Sequence, residues 1–248
     1  MAELSGLMYN GVLFPFGEHV ELPNYLCFTA NTANAKVKLS KYGSPTVLTL
    51  ETSTDGNSWS TYTFWSWITL SNIWDKVYWR NTSTTDTGFS TSFSDIYQFS
   101  FSWNVSASWD INFLLNKNST NSVSSNCYRN LFNGCSSLIT APSLPATIVD
   151  ELCYAQMFYD CLLLETLPIL PASTLADSCY SLMFGGCSKI KLSTTQTWEY
   201  QTPYRIPITW TGVDNVGSAL SGMFTSTWWT FTWTPSINTT YYTSNTLV

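Results

Sequence analysis

The stretch that decides the fold is Cys127-Tyr128-Arg129-Asn130-Leu131-Phe132-Asn133-Gly134-Cys135, because its pattern returns twice at an interval of 26 residues. The second copy runs from Cys153 to Cys161 and the third from Cys179 to Cys187. A unit this short cannot bury its own apolar face, so such units stack on one another. The sequence therefore predicts a solenoid with this buried repeat core: Cys127, Phe132, Cys135, Cys153, Phe158, Cys161, Cys179, Phe184 and Cys187.

The repeat also predicts the local structure of each unit. The segment Tyr154 to Phe158 is expected to form a short helix with its apolar side chains facing inward. The segments Leu138 to Thr140 and Leu164 to Thr166 are expected to be short strands, which end where proline removes a backbone donor. Two full units and half of a third, from Cys179 to about Leu192, are visible in the sequence.

The segment before the repeats carries the signals of β-strands. Three apolar or alternating runs are Leu26 to Ala30, Ala35 to Leu39 and Thr46 to Leu50, and Asp55-Gly56 supplies a hairpin turn. The runs Ile73 to Arg80 and Tyr97 to Phe101 continue this pattern. Strands at this spacing predict a β-sandwich of about seven strands.

With the repeat in view, residues 127 to 192 resemble the leucine-rich repeat of the bacterial surface-antigen type. Its unit is Cys-Tyr-x-x-Met-Phe-x-x-Cys-x-x-Leu followed by Ala-Pro-x-Leu-Pro-Ala. The residues before the repeats resemble the β-rich domain that precedes such repeats in proteins of gut bacteriophages and prophages, in these stretches: Tyr25 to Asn31, Ser53 to Gly56, Asp75 to Tyr78 and Asp110 to Lys117. The resemblance implies a virion-associated or surface-exposed binding protein and carries over no catalytic residues.

The predicted fold class is mainly β, with an N-terminal β-sandwich followed by a short leucine-rich-repeat-type solenoid and a capping tail. The predicted domains are an N-terminal arm at residues 1–23, which forms a short hairpin or an attachment segment, the β-sandwich at 24–121, the repeats at 122–194 and the tail at 195–248. Ala219 to Phe224 echoes the repeat, so the tail is expected to cap the solenoid. Tyr241 to Asn245 is expected to be a short edge strand.

Composition limits the classes of partner. Only 10% of the residues are charged, 16% are aromatic, and the formal net charge is −6. The ten basic residues form no cluster, which argues against nucleic acid as a partner. No secretory signal and no apolar run long enough for a membrane span are visible, so we expect a protein made in a cytoplasm that stays soluble or leaves by a route other than secretion.

Few residues point to catalysis, a metal or a cofactor, and none of the three is predicted. His19 is the one histidine, and we interpret it as a surface residue. Paired carboxylates, as in glycosidases, are the remaining enzymatic hypothesis, with Asp150 and Glu151 or Asp160 and Glu165 as candidates. The cysteines lie eight residues apart in each unit, which favours buried thiols over a zinc site. A disulfide within a unit, such as Cys127 to Cys135, is the alternative.

Aromatic residues suggest a binding surface. Tryptophan stands at loop positions where turn chemistry and the family pattern favour glycine, namely Trp65, Trp74, Trp103, Trp109, Trp210, Trp228, Trp229 and Trp233. Either these rings form a binding surface, or the gene uses a reassigned stop codon, which makes the assignment of tryptophan at these positions doubtful. The predicted binding residues are Tyr128, Tyr154, Tyr180, Trp228 and Trp229, whose rings suit glycans and protein interfaces. Partly buried support of the stack is the alternative for the three tyrosines.

These patterns predict a non-enzymatic phage virion protein, a head or tail fibre or a decoration protein. Its expected partners are other virion proteins and a host-surface glycan or protein, with further copies of itself as an alternative assembly. A bacterial cell-surface adhesin with the same repeats is the second hypothesis, and a carbohydrate-active enzyme is the third. The expected location is the virion, or the bacterial surface under the second hypothesis.

Overall fold

A computed structural model describes residues 6–9, 12–15, 24–45, 47–85, 88–209, 211–229 and 233–248 of the chain. The protein is mainly β, as predicted: strands hold 29% of the residues, there is almost no helix, and no closed barrel forms among the described residues. Within the predicted arm, β1 (Gly6–Tyr9) and β2 (Val12–Pro15) pair antiparallel. His19 lies outside the described residues.

Two antiparallel sheets form before the repeats. Their strands are β3 (Leu26–Ala30), β4 (Ala35–Tyr42), β5 (Leu50–Ser53), β6 (Ser60–Thr61), β7 (Ile68–Leu70), β8 (Lys76–Asn81), β9 (Ile96–Phe101) and β10 (Val105–Ser108). A five-stranded sheet has the order β10-β3-β8-β5-β6, and a three-stranded sheet has the order β7-β4-β9.

The two sheets share one aromatic core. Phe28 of β3 and Trp79 of β8 approach Phe99 of β9 edge to face, with ring centroids 4.9 and 5.2 Å apart. All three side chains are buried. Such edge-to-face pairs add to the free energy gained from burying the rings. Buried aromatic side chains from the two sheets are therefore in direct contact with each other.

Two strand boundaries differ from the prediction. The run Thr46 to Leu50 was expected to be a strand, but β5 begins only at Leu50. The strand expected from Ile73 begins at Lys76, because Asn72 and Asp75 close a turn in which the Asp75 carboxylate accepts the Asn72 N–H at 2.8 Å. The Asp55-Gly56 turn is confirmed, since it connects the paired strands β5 and β6.

The repeat units are built from consecutive turns, so the helix predicted at Tyr154 to Phe158 is wrong. Alternate amides donate to carbonyls of the next unit. The Tyr154 N–H donates to the Cys179 carbonyl and the Phe158 N–H to the Met183 carbonyl, both at 2.9 Å. The intervening amides bond three residues back, as Met157 does to Tyr154. An α-helix would keep every amide inside its own segment, four residues back. Here half of the amides join one unit to the next.

Every fourth residue of these turns has a left-handed backbone, which an α-helix does not tolerate. Glycine and asparagine suit this conformation, whereas leucine and glutamine are strained in it. The positions and φ angles are Asn126 (59°), Asn130 (59°), Gly134 (73°), Leu152 (56°), Gln156 (55°), Asp160 (57°), Ser178 (53°), Leu182 (54°) and Gly186 (74°).

Short strands precede the turns of each unit rather than follow them. β11 (Ser122–Val123) pairs in parallel with β12 (Ile148–Val149), and β13 (Thr174–Leu175) lies a further 26 residues on. The strands expected at Leu138 to Thr140 and Leu164 to Thr166 do not form, although Leu138 makes a single parallel bridge to Val105 of β10. That bridge joins the first unit to the five-stranded sheet. A 3-10 helix, Ile111–Leu114, lies between the sheets and the first unit.

The tail adds a four-stranded sheet to the last unit. Its order is β15-β18-β14-β17, with the bounds Thr202–Tyr204, Tyr241–Thr243, Lys191–Ser193 and Trp228–Trp229, and β16 (Val213–Asp214) pairs with β13. Tyr241–Thr243 lies between two neighbours, so the expected edge strand is an inner strand. One cluster of buried side chains extends from Leu26 to Tyr241.

Alanine at Gly134 should destabilise the protein by about 1 kcal/mol, the cost of a left-handed backbone for a residue with a Cβ. A methyl group there meets no heavy atom within 4 Å, so the loss isolates backbone strain. Gly217 is equally open but lacks the left-handed φ. Gly217→Ala should therefore be neutral or stabilising by about 0.5 kcal/mol. Urea unfolding of both variants measures this, and equal losses would contradict the assigned backbone.

Candidate functional site

The phenylalanines of the repeat stack in a continuous column. The rings of Phe132, Phe158 and Phe184 lie within 3° of parallel, with centroids 5.4 and 5.6 Å apart. Phe99 of β9 extends the column at one end, at 5.2 Å, and Phe224 of the tail extends it at the other, at 5.5 Å. We call these five residues the phenylalanine column. It runs from the first sheets through all three units into the tail.

The tyrosines form a second buried column. Tyr128, Tyr154 and Tyr180 stack with centroids 5.6 and 5.7 Å apart, and each is at most 1% exposed. The Tyr128 hydroxyl donates to the side-chain oxygen of Asn112 at 2.9 Å, and burial raises the pKa of all three hydroxyls well above the ordinary value. The predicted binding surface is therefore wrong for these tyrosines, because a ligand cannot reach their rings.

The cysteines connect neighbouring units through their thiols. In each unit the second cysteine donates its S–H to the carbonyl of a phenylalanine one layer earlier. Cys135 donates to Phe99, Cys161 to Phe132 and Cys187 to Phe158, with S–O distances of 3.1, 3.1 and 3.0 Å. Valine or alanine would fill similar space but offer no donor. This contact gives the second cysteine a structural reason to recur.

All seven cysteines are free and buried, so the alternative of a disulfide within a unit is not present in this structure. Burial raises the pKa of the Cys179 thiol to about 12 from an ordinary value of 9.0, and it raises the pKa of Cys127, Cys153, Cys161 and Cys187 as well. Thiols held protonated are poor nucleophiles and poor metal ligands. The described residues include no group of three or more His, Cys, Asp and Glu side chains placed to hold a metal.

No family model, curated protein or solved structure matches this chain. What its residues can do must be inferred from their own geometry. Among the described residues, no helix has the length and apolar character needed to cross a membrane.

The four candidate acids lie on the surface. Asp150, Glu151, Asp160 and Glu165 are all exposed. Asp150 accepts the N–H of Glu151 at 2.8 Å, and Asp160 occupies one of the left-handed turn positions. Both roles are structural. The general acid of a glycosidase instead needs a shielded site that raises its pKa, with a partner carboxylate at a set distance.

The tryptophans at glycine-like positions divide into two groups. Trp65, Trp74 and Trp109 have left-handed φ angles of 72°, 75° and 67°, which are outliers for a bulky residue. Trp103, Trp228 and Trp233 have no such angle and are more than half exposed. Of the predicted binding pair, Trp228 is 69% exposed, while the side chain of Trp229 lies outside the described residues, as does Trp210.

Sequence reasoning missed two aromatic clusters on the first sheets. In one, the Lys38 ammonium lies 4.6 Å from the Trp67 ring centre, and Tyr42 contacts Trp65 edge to face at 5.0 Å. The other surrounds Arg80 of β8 and is described below. Alternating Lys36-Val37-Lys38-Leu39 signals an outward lysine, but no local pattern places it beside Trp67. These clusters depend on strand pairing and could not be found from spacing alone.

The alkaline stability of the protein should reflect its buried thiols. Because the folded pKa of Cys179 is raised, its stabilising contribution is complete below about pH 9 and is lost as pH rises toward about 12. We expect the free energy of unfolding to fall steadily over this range, with a shallower slope in Cys179→Ala. Urea titrations at several pH values measure both slopes. Identical slopes would show that this thiol does not titrate differently on unfolding.

Glycine at Trp74 should stabilise the protein. Removing the Cβ from a left-handed backbone stabilises the folded state by about 1–2 kcal/mol. The greater conformational freedom of glycine in the unfolded chain reduces this gain by about 0.5–1 kcal/mol. Trp103→Gly is the matched control, since Trp103 is also exposed but has no left-handed φ, and it should destabilise. Thermal unfolding gives both signs. Destabilisation by both substitutions would indicate that the Trp74 ring contributes more than its backbone strain costs.

Proposed function

We propose that this chain is a non-enzymatic structural and adhesion protein of a phage virion, a head or tail fibre or a decoration protein. The observation that carries the proposal is the continuous phenylalanine column, because its inward residues are fully used in stacking. Residues between the stacked ones, such as Tyr159 and Ser181, are partly exposed. Because the inward residues of each unit stabilise the stack, the outward residues can vary and serve for binding.

The finer architecture that fits this role is a β-sandwich followed by a leucine-rich-repeat-type solenoid. The shared aromatic core of the two sheets supports the sandwich. The 26-residue register of the columns supports the solenoid. In this proposal the pair β1 and β2 belongs to an arm that contacts neighbouring virion proteins, and the tail sheet caps the last unit. Further copies of the chain are alternative partners.

The non-enzymatic part of the proposal has its own support. The candidate acids are exposed, and the buried thiols are held protonated. Binding requires only surface side chains, and the described surface carries many large apolar ones, including Trp228, Trp198 and Phe93. Exposed aromatic rings of this kind are common in contact surfaces. Adhesion therefore uses features the chain has, whereas hydrolysis needs a shielded acid pair.

An antiserum against the purified chain tests the proposed location. Particles from the source culture are separated on a density gradient, and we expect the chain to sediment with capsid proteins and to be labelled on intact particles by immunogold. An unrelated cytoplasmic protein of the same culture is the control. Recovery of the chain only from the walls of intact bacteria would contradict the virion proposal and support the cell-surface adhesin.

A further inference from the structure

A polar pocket lies at the rim of the five-stranded sheet where the inner strand β5 begins and its partner β8 ends, next to the loop that follows the 3-10 helix. Its volume is about 550 Å³, and its lining residues are Tyr25, Glu51, Arg80, Asn81, Thr82, Lys117 and Asn118. We call it the sheet-edge pocket. It belongs to neither the phenylalanine column nor the tyrosine column. A volume of this size accommodates one or two sugar rings.

Arg80 is held rigidly in this pocket. Glu51 and Arg80 are direct partners across β5 and β8, and the Nε and a terminal nitrogen of Arg80 each lie 2.8 Å from one Glu51 oxygen. The guanidinium carbon also lies 3.9 Å from the centre of the Trp59 ring and 5.8 Å from that of Tyr25. A guanidinium fixed by a carboxylate and an aromatic face loses little freedom on binding a ligand.

The loop that contributes Lys117 and Asn118 to the pocket is fixed by hydrogen bonds to its backbone. The buried Asn81 side chain donates to the carbonyls of Leu114 and Leu115 at 3.1 and 2.9 Å. The Lys117 N–H donates to the Ser83 carbonyl at 2.8 Å, and the Asn116 side chain accepts the Asn118 N–H at 3.0 Å. These contacts hold the exposed side chains of Lys117 and Asn118 at the rim. The pocket is therefore formed before any ligand binds.

The charge of the pocket selects the ligand. Glu51 is neutralised by Arg80, and this is the one ion pair among the described residues, so Lys117 has no carboxylate partner there. The lining thus carries an uncompensated positive charge in a chain whose formal net charge is −6. The Tyr25 ring offers an apolar wall, while Asn118 and Thr82 offer both donors and acceptors. An aromatic wall, amide and hydroxyl groups and a free ammonium together suit a sugar that bears a carboxylate.

We propose that the sheet-edge pocket binds a carboxylate-bearing carbohydrate, with Lys117 contacting the carboxylate and Arg80, Glu51 and Asn118 contacting the hydroxyls. This inference rests on the adhesive part of the proposed function and names its ligand class. It places host-glycan recognition on the sheets. The variable surface of the repeats then remains for contacts with other proteins.

Saturation-transfer NMR on the full chain tests the proposal with free glycosides. The acidic probes are the methyl glycosides of glucuronic, galacturonic and N-acetylneuraminic acid, and the methyl ester of each is its neutral counterpart. We expect at least one acidic probe to bind with a dissociation constant of about 1 mM or below. Its neutral counterpart should bind about tenfold more weakly, since one charge-assisted contact is lost.

Lys117→Gln removes the selecting charge and, at an exposed position, leaves the fold intact. It should weaken the acidic probe about tenfold and leave a neutral probe unchanged. Lys36→Gln, an exposed lysine on β4 of the other sheet, is the matched control and should change neither. No binding by any acidic probe, or equal effects of the two substitutions, would overturn the proposal. Virion association is measured independently with the antiserum. The two experiments therefore distinguish a failure of the ligand proposal from a failure of the virion proposal.

Discussion

Hydrogen bonds between successive units are the interaction on which the rest of the structure depends. In each turn segment alternate amides donate to carbonyls of the following unit, while the amides between them close turns within their own segment. Each unit is thus completed by the next one. The phenylalanine and tyrosine columns follow from this register, because bonding every second residue of one unit to the next places equivalent side chains above each other. Once the rings are stacked, the second cysteine of each unit reaches the phenylalanine carbonyl one layer earlier.

The register and the composition of the repeat core were predictable from sequence, because identical residues at a fixed interval have to stack. The helix was not. Cys127, Leu131 and Cys135 are spaced by four residues, and an α-helix would rotate successive members by about 40°. The turn segment repeats in four residues without that drift, so the spacing fits turns better than a helix. The left-handed positions at Asn130 and Gly134 were a further signal, since both residue types suit that backbone.

The binding residues were harder to predict, and the reason is geometric. Tyr128, Tyr154 and Tyr180 follow each first cysteine, but sequence spacing does not tell which side of a turn faces the core. The sheet-edge pocket was missed because it unites Tyr25, Glu51, Arg80 and Lys117 from four separate parts of the chain. Strand pairing brings Glu51 opposite Arg80, and a buried asparagine positions the loop that carries Lys117. Neither contact leaves a local signature in the sequence.

Ring-to-ring NOEs among the phenylalanines test the central claim most directly. In a chain labelled only at phenylalanine, with resonances assigned through Phe→Leu variants, Phe158 should show cross-peaks to both Phe132 and Phe184, whose ring centroids lie 5.4 and 5.6 Å away. Phe132 and Phe184 should show none to each other, because Phe158 lies between them. If Phe158 shows cross-peaks to neither neighbour, the units are not in register and the stacked account is wrong.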